Sequence, residues 1–211
     1  MKGMWSKVKK KLLKKEEEKE IDYLLIGLGN PKEKYKKTAH NIGFRVLTLF
    51  REENCLPPLS KDNTLNSLVT KGQLEEKRVA IVLPLTFMNL SGEAVRRSVK
   101  RFKVPLSNII VVHDDIDLPI GTLRFSISRN SGGHKGVSSV IKALQTKDFA
   151  RLRIGISKEE KESAKEVVLK NLPAGMTKIE EKASEELKES ILKEEVIART
   201  IKMEEKKNKG D

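Results

Sequence analysis

The side chains best suited to acid–base chemistry in this sequence of 211 residues stand in short polar motifs beside apolar runs. His40, one of only three histidines, lies in "KKTAHNIGF" next to Asn41 and just before a helix-like stretch. A histidine can take a proton near neutral pH, and a carboxylate bonded to its other ring nitrogen fixes the tautomer and stabilises the imidazolium. Asp114, at the end of the apolar run "NIIVVHDD", is the candidate carboxylate. Because no Gly-x-Ser-x-Gly elbow supplies a serine nucleophile, the pair predicts activation of a water molecule, with asparagine amides fixing the substrate.

Apolar runs that alternate with helix-like stretches place these motifs in an α/β fold. The predicted strands are 22–28, 65–72, 77–85, 108–115, 121–128 and 150–157, and the predicted helices are 41–54, 91–102 and 136–145. The strands 65–72 and 77–85 flank a polar turn, which predicts an antiparallel hairpin. Ser91 is predicted as an N-cap. The pattern indicates a single α/β domain, a mixed β-sheet flanked by helices, with a helical C-terminal segment.

Four polar motifs each follow an apolar strand, and ligands of open α/β sheets bind outside the carboxyl ends of strands. The motifs are "GLGNP" (27–31), "TFMN" (86–89), "HDDID" (113–117) and "NSGGHKG" (130–136). We therefore expect them to meet at one crevice, with His40 at its rim. Each has a plainer interpretation: "GLGN" as a tight turn, the asparagines as turn caps, "NSGGHKG" as a flexible loop or an anion-binding turn, and "HDDID" as a divalent-cation ligand set.

Composition restricts the class of partner. The formal net charge of +13 favours a polyanion, above all nucleic acid, although a Lys/Glu-rich surface of the heat-adapted kind is the alternative. A single cysteine, Cys55, excludes an internal disulfide and fits a reducing cytoplasm. No stretch reaches the ~18 apolar residues of a membrane span. Residues 1–20 are predicted to be a flexible basic extension, 21–205 the domain, and 206–211 a charged tail.

The motifs "GLGNP…Y…T.HN.GF", "P.TFMNLSGEAV", "HDDIDLP.G" and "GGHKG", in this order, resemble those of bacterial-type peptidyl-tRNA hydrolases. The resemblance runs from about Tyr23 to the C-terminal helix. It implies an α/β monomer of the cytoplasm, without cofactor or metal, that hydrolyses the ester bond between a peptide and tRNA. Such an enzyme recycles tRNA from prematurely released peptidyl-tRNA and contacts its acceptor stem and CCA end.

The same resemblance implies roles for single residues. His40 would be the general base and Asp114 its supporting carboxylate, while Asn30 would help to select substrates with a blocked amino group. The remaining implied contacts are Tyr35, Phe87 and Asn89 with the peptidyl-adenosine end, Lys135 with the substrate, and Arg153 with a tRNA phosphate.

Three positions depart from the family pattern. Lys135 stands where asparagine is usual, Ala39 where arginine is common, and Ser126 where a basic residue often meets the tRNA 5′ phosphate. Two other functions stay open at this stage. One is a non-catalytic RNA-binding relative of the same fold, similar to organelle splicing factors. The other is a metal-dependent phosphoesterase that uses the "HDDID" carboxylates.

Overall fold

The computed structural model of the chain describes residues 20–157, 168–169 and 176–194, which form a mixed seven-stranded sheet between two layers of helices. The strands are β1 (Tyr23–Gly27), β2 (Ser60–Asp62), β3 (Ser67–Leu74), β4 (Lys77–Pro84), β5 (Ile109–Pro119), β6 (Leu123–Ile127) and β7 (Ala150–Ser157). The α-helices are α1 (Ile42–Glu53), α2 (Ser91–Phe102), α3 (Lys135–Leu144) and α4 (Met176–Leu192). The predicted fold class is confirmed. Most of the predicted extension and the whole predicted tail lie outside the described residues.

The sheet has the order β2-β3-β4-β1-β5-β7-β6, with β4, β1, β5 and β7 parallel at its centre. Side chains alternate across each strand, so Tyr23 and Leu25 join the core under α1 and α4, while Leu24 and Ile26 join the core under α2 and α3. Burial on both faces explains why the central strands read as continuous apolar runs. In the described ranges no helix has the length and apolar character that a bilayer span requires.

The predicted hairpin is confirmed, because β3 and β4 pair antiparallel from Ser67 opposite Pro84 to Leu74 opposite Lys77. Its turn is shorter than predicted, since the polar residues on either side continue the ladder. The edge strand β2 was not predicted, because its three residues are all polar.

The predicted N-cap is wrong. A 3-10 turn runs directly into α2, so Ser91 is the first helical residue, and its buried hydroxyl makes no hydrogen bond within the described part of the chain. Ser139 of α3 takes over part of the capping by accepting a hydrogen bond from the Gly92 amide at 3.0 Å.

Three of the four polar motifs lie at the same end of the sheet, as predicted, because β1, β4 and β5 are parallel. The motif "HDDID" does not follow its strand, however, since it lies inside β5, which continues to Pro119. The fourth motif reaches this end of the sheet by another route. β6 runs antiparallel to β7, so its last residue, Ile127, pairs with Ala150 at the opposite end of the strands. The following loop returns along the sheet, and the buried Arg151 holds it by donating hydrogen bonds to the carbonyl oxygens of Arg129 and Asn130.

A close backbone contact sets the start of α1 against the sheet. A Cβ added to Gly43 would overlap the carbonyl oxygen of Val112 and lie 2.7 Å from the amide nitrogen of Leu28. Only glycine therefore allows the first turn of α1 to touch the end of β1 and the backbone of β5 at Val112. His40 lies three residues before this contact, so the contact also fixes where His40 enters the site.

Gly43→Ala should therefore lower both stability and activity. Overpacking against backbone atoms that cannot move aside typically costs about 1–3 kcal/mol. Urea unfolding measures the loss, and Glu52→Ala, an exposed position on the same helix, should leave the midpoint nearly unchanged. A Gly43→Ala protein as stable as the wild type would contradict the close contact.

Candidate active site

The loop after β1 is held by two asparagines. The Asn41 side chain accepts a hydrogen bond from the backbone amide of Asn30 and donates one to the backbone carbonyl oxygen of Asn30, both at 2.9 Å. The Oδ1 atom of Asn30 in turn accepts from the Met88 amide at 3.0 Å, which joins the first motif to the second. Among the described residues nothing accepts a hydrogen bond from the Nδ2 group of Asn30, so this group is available to a ligand.

His40 lies in a 3-10 turn just before α1, and the structure brings it to Asp114, as the sequence predicted. Its Nδ1 atom is 2.9 and 3.0 Å from the two carboxylate oxygens. An ionised carboxylate can only accept, so Nδ1 carries a proton, and in the neutral ring Nε2 then has a free lone pair. This is the tautomer that a proton-accepting histidine needs.

His134, which the sequence did not single out, provides Asp114 with a second imidazole. Its Nε2 atom is 2.9 Å from Asp114 Oδ1, and its Nδ1 atom accepts from the amides of Gly136 and Val137 at 3.1 and 3.2 Å. An atom that accepts two N–H groups carries no proton, so the proton of this ring is on Nε2. His134 is therefore a neutral donor to Asp114 and, at the same time, the N-cap of α3.

The third histidine packs against the second. The rings of His113 and His134 meet edge to face with centroids 4.8 Å apart, and His113 Nδ1 donates to the Asp114 carbonyl oxygen at 2.6 Å. Complete burial lowers the pKa of His113 to about 3, so this ring is neutral at ordinary pH. A signal was present in the sequence, because all three histidines stand in the polar motifs.

Asp114 is ionised although it is only 1% exposed. Burial by itself would raise the pKa of this carboxyl, but the imidazoles of His134 and His40 outweigh that effect and hold it well below its ordinary value. The site is therefore built around one buried negative charge.

A cavity of about 720 Å³ opens beside this charge. Its polar lining includes Asn30, His40, Asn89, Asp114, His134 and Lys135, and its apolar lining includes Phe87, Met88, Ile116, Val168 and Leu169. The ring of Phe87 is 44% exposed, with Lys32 Nζ 5.2 Å from its centroid. Lys135, the first residue of α3, is exposed at the rim. The predicted convergence of the four motifs is confirmed.

Two predicted contacts lie elsewhere. Tyr35 is half-buried and does not line the cavity; its ring lies beside Lys34 Nζ at 5.0 Å. Arg153 has a side chain only 3% exposed, and its Nε atom donates to Asp115 at 2.6 Å. A contact between Arg153 and a tRNA phosphate does not fit this placement, since its cross-strand position opposite β5 commits the guanidinium to a buried ion pair.

Two of the three departures from the family pattern, Ala39 and Ser126, place no charged side chain at the cavity. Ala39 is 4% exposed within the turn that carries His40, and the Ser126 hydroxyl is buried without a hydrogen-bond partner in the described ranges. Of the departures, only Lys135 therefore presents a cation at the cavity.

The "HDDID" carboxylates are not arranged for a cation. Asp114 is bonded to two imidazoles, Asp115 is paired with Arg153, and Asp117 faces Arg129 at 3.6 Å. Three ligand atoms from His40, Asp114 and His134 do lie within 4.8 Å of one another. A metal ion there would have to displace the protons that these groups share. The arrangement therefore fits proton transfer better than metal-dependent phosphoester cleavage.

Comparison with known proteins agrees with this geometry. Residues 24–210 match the model of a family described as peptidyl-tRNA hydrolase. The chain belongs to the peptidyl-tRNA hydrolase family. It is 38% identical over 159 residues to a peptidyl-tRNA hydrolase of Clostridium tetani, a match that covers 75% of this chain and 84% of that protein. It is 35% identical over 188 residues to the one from Carboxydothermus hydrogenoformans, which covers 89% and 95%.

The fold agrees with that of a solved member of the family. The crystal structure of peptidyl-tRNA hydrolase from Acinetobacter baumannii superimposes with a TM-score of 0.75 at 27% identity, covering 86% of this chain and 91% of that one. The chain is thus an enzyme of a hydrolase family, and not only a domain of the same shape.

The neutral, buried His113 predicts a loss of stability in acid. The unfolded chain protonates this ring near 6.5, whereas the folded chain does so only near 3, so the unfolded state binds more protons between these values. Stability should therefore fall as pH decreases from about 6.5 towards 3, by up to ~1.4 kcal/mol per pH unit.

His113→Asn isolates this contribution. The Nδ2 group of asparagine can replace Nδ1 as donor to the Asp114 carbonyl oxygen but does not titrate. Urea unfolding at several pH values in this range gives the slope of the free energy of unfolding against pH. In the variant this slope should be smaller by the equivalent of about one proton. Equal slopes would show that His113 is protonated in the folded chain.

Proposed function

We propose that this chain hydrolyses the ester that joins a peptide, or an N-blocked amino acid, to the terminal adenosine of tRNA, with His40 as the general base. The observation that carries the proposal is the pairing of His40 Nδ1 with the buried Asp114 carboxylate beside an open cavity. In the neutral ring that pairing keeps the proton on Nδ1, so Nε2 can take a proton from water.

The reaction consumes one water and needs no group that the chain lacks. As the water oxygen bonds to the ester carbonyl carbon, its proton passes to Nε2 of His40, and Asp114 stabilises the resulting imidazolium. When the bond from that carbon to the ribose oxygen breaks, the imidazolium returns the proton to the ribose oxygen. The products are a carboxylic acid and tRNA with a free hydroxyl group.

The cavity lining supports binding of the peptidyl-adenosine end. The Nδ2 group of Asn30, which has no acceptor within the described ranges, can donate to the acyl oxygen of a blocked amino group, which a free aminoacyl-tRNA lacks. Asn89 adds a second amide at the rim, and the exposed ring of Phe87 offers a surface on which a base can stack. Apolar residues such as Val168 and Leu169 suit the side chains of a peptide. A role for Tyr35 stays a prediction.

The charge of the chain supports the tRNA part of the substrate. A net charge of +13 attracts a polyanion over a long range, and Lys135 stands where the CCA end would enter. We propose that the acceptor stem lies across this rim, and that the enzyme acts as a monomer in the cytoplasm. A non-catalytic RNA-binding protein would have no use for the buried His40–Asp114 pair, which is the reason to prefer catalysis.

His40→Ala should remove most hydrolysis of N-blocked aminoacyl-tRNA while leaving folding and tRNA binding nearly unchanged. General-base catalysis is worth roughly 10²–10⁴-fold, and a loss in that range is expected in release of the amino acid. Asp114→Asn should lose less, but still a large factor, because a neutral amide stabilises the imidazolium poorly and its NH₂ group can donate to His40 Nδ1, which favours the wrong tautomer. Activity of His40→Ala within a few-fold of the wild type would remove His40 from this role.

Two controls belong to the same assay. Asp117→Asn makes the same chemical change in the same motif at an exposed carboxylate, and it should keep near-normal activity. Excess chelator should leave turnover unchanged. Inhibition that added Mg²⁺ or Zn²⁺ reverses would instead favour the metal-dependent alternative. Free aminoacyl-tRNA should be a much poorer substrate than its N-blocked form.

Lys135→Asn should weaken tRNA binding modestly and flatten its dependence on salt. Each lost phosphate contact reduces the slope of log K against log salt by about one unit. Lys142→Asn, the same charge change on the same helix outside the cavity lining, should leave the slope unchanged. Lower turnover of a minimal substrate at an unchanged salt slope would place Lys135 at the ester instead.

A further inference from the structure

The three histidines of this chain form one continuous cluster, although the proposed reaction uses only His40. The ring of His134 lies between the other two, with its centroid 4.8 Å from that of His40 and 4.8 Å from that of His113. The three residues come from the turn before α1, from β5 and from the loop before α3. His134 is therefore the member of the cluster that touches both the catalytic pair and the interior.

Both ring nitrogens of His134 are committed by hydrogen bonds. The first-turn amides of Gly136 and Val137 donate to Nδ1, and Nε2 donates to Asp114 Oδ1. With a side chain only 8% exposed, the ring has little contact with water that could replace these bonds. The helix start thus fixes the tautomer, and the tautomer directs a proton at the carboxylate.

Asp114 divides its acceptor capacity between two donors. Oδ1 is 2.9 Å from His134 Nε2 and 2.9 Å from His40 Nδ1, while Oδ2 is 3.0 Å from His40 Nδ1. A donor to a carboxylate withdraws negative charge and fixes the rotation of the group. The hold of Asp114 on the His40 proton therefore depends on whether His134 is also bonded.

We propose that His134 is a positioning residue of the hydrolysis: its Nε2–H fixes the orientation of Asp114 and limits how strongly that carboxylate attracts the Nδ1 proton of His40. The inference rests on the proposed function of His40 as general base. His134 neither attacks the substrate nor exchanges a proton with it. It acts through Asp114.

The other charged and titratable groups described near Asp114 make their contacts elsewhere, so the hydrogen bond from His134 is the one that can change how Asp114 binds His40. From β5, His113 is neutral and donates to the Asp114 backbone, and Asp115 is neutralised by Arg153 of β7. From α3, Lys135 is exposed at the rim. Among the described residues, only His40 and His134 have side chains that donate to the Asp114 carboxylate.

Two substitutions separate the two bonds of His134. In His134→Gln the side-chain Nε2 stands near the position of the imidazole Nε2 and can still donate to Asp114, but the helix cap is weakened. In His134→Asn the side-chain Oδ1 stands near the position of Nδ1 and caps the helix well, but nothing reaches Asp114. Catalysis should follow the donor, and stability should follow the cap.

The experiment measures hydrolysis of N-blocked aminoacyl-tRNA against pH, thermal unfolding, and an NMR titration of the His40 ring. We expect His134→Asn to unfold near the wild-type temperature and to lose about tenfold in kcat, the usual effect of removing a hydrogen bond to a charged group, with KM nearly unchanged. The acid limb of its pH–rate profile and the His40 titration should both move to higher pH, because the carboxylate now attracts the proton more strongly. His134→Gln should restore most of kcat and both pH values while unfolding at a lower temperature.

Three results would overturn the proposal. One is an unchanged His40 titration in His134→Asn; another is an equal loss of kcat in both variants. The third is a rise in KM at constant kcat, which would make His134 a substrate contact. If His134→Asn does not fold, His134→Ser keeps a capping oxygen and answers the same question. The NMR titration needs no turnover, so it tests the coupling even if His40→Ala proves active and the proposed role of His40 is wrong.

Discussion

The buried negative charge of Asp114 is the constraint around which the site is organised. An ionised carboxylate away from water costs several kcal/mol unless hydrogen-bond donors surround it. Here the donors are two imidazoles, and neither comes from the strand that carries the carboxylate. The fold must therefore bring three separate segments within 3.0 Å of one another before this charge is stable. Folding therefore also brings His40 and Asp114 together.

Each segment is placed by a different physical device. The turn that carries His40 is set by the close approach of Gly43 to the end of β1 and to Val112 on β5, where any side chain would overlap backbone. Asp114 is placed by strand register, on the most buried strand of the parallel centre. His134 is placed by a loop that Arg151 anchors and by the first amides of α3. Each of these three contacts places a different residue, so disrupting any one of them should weaken the hydrogen bonds that stabilise the Asp114 carboxylate.

The sequence predicted the central architecture because periodicity and strand ends are local signals. It predicted the pairing of His40 with Asp114 because His40 follows β1 and Asp114 lies on the neighbouring parallel strand β5. It did not predict that β6 runs the opposite way, since strand polarity depends on pairing with β7, which no local pattern reveals. For the same reason it did not predict the ion pair of Arg153, whose register opposite His113 on β5 brings the guanidinium to Asp115.

His134 was missed for a related reason, because its role depends on a hydrogen bond to a residue 20 positions away. Its motif suggested an anion-binding turn, and the helix start does bind an acceptor, but the acceptor is the imidazole of the chain itself. The ring of His134 thus links the helix to Asp114, because Nδ1 accepts from the first amides of α3 while Nε2 donates to the carboxylate.

Two adjacent residues at the start of α3 face different surroundings. His134 turns inward to the buried carboxylate, and Lys135 remains exposed at the rim of the cavity. Exposed charges are screened over about 8–10 Å at physiological salt, whereas a pair buried in the protein is screened far less. Attraction of the tRNA should therefore weaken with ionic strength while the chemical step keeps its pH dependence. In this fold one helix start separates the two effects, because its N-cap faces the core and its first residue faces the solvent.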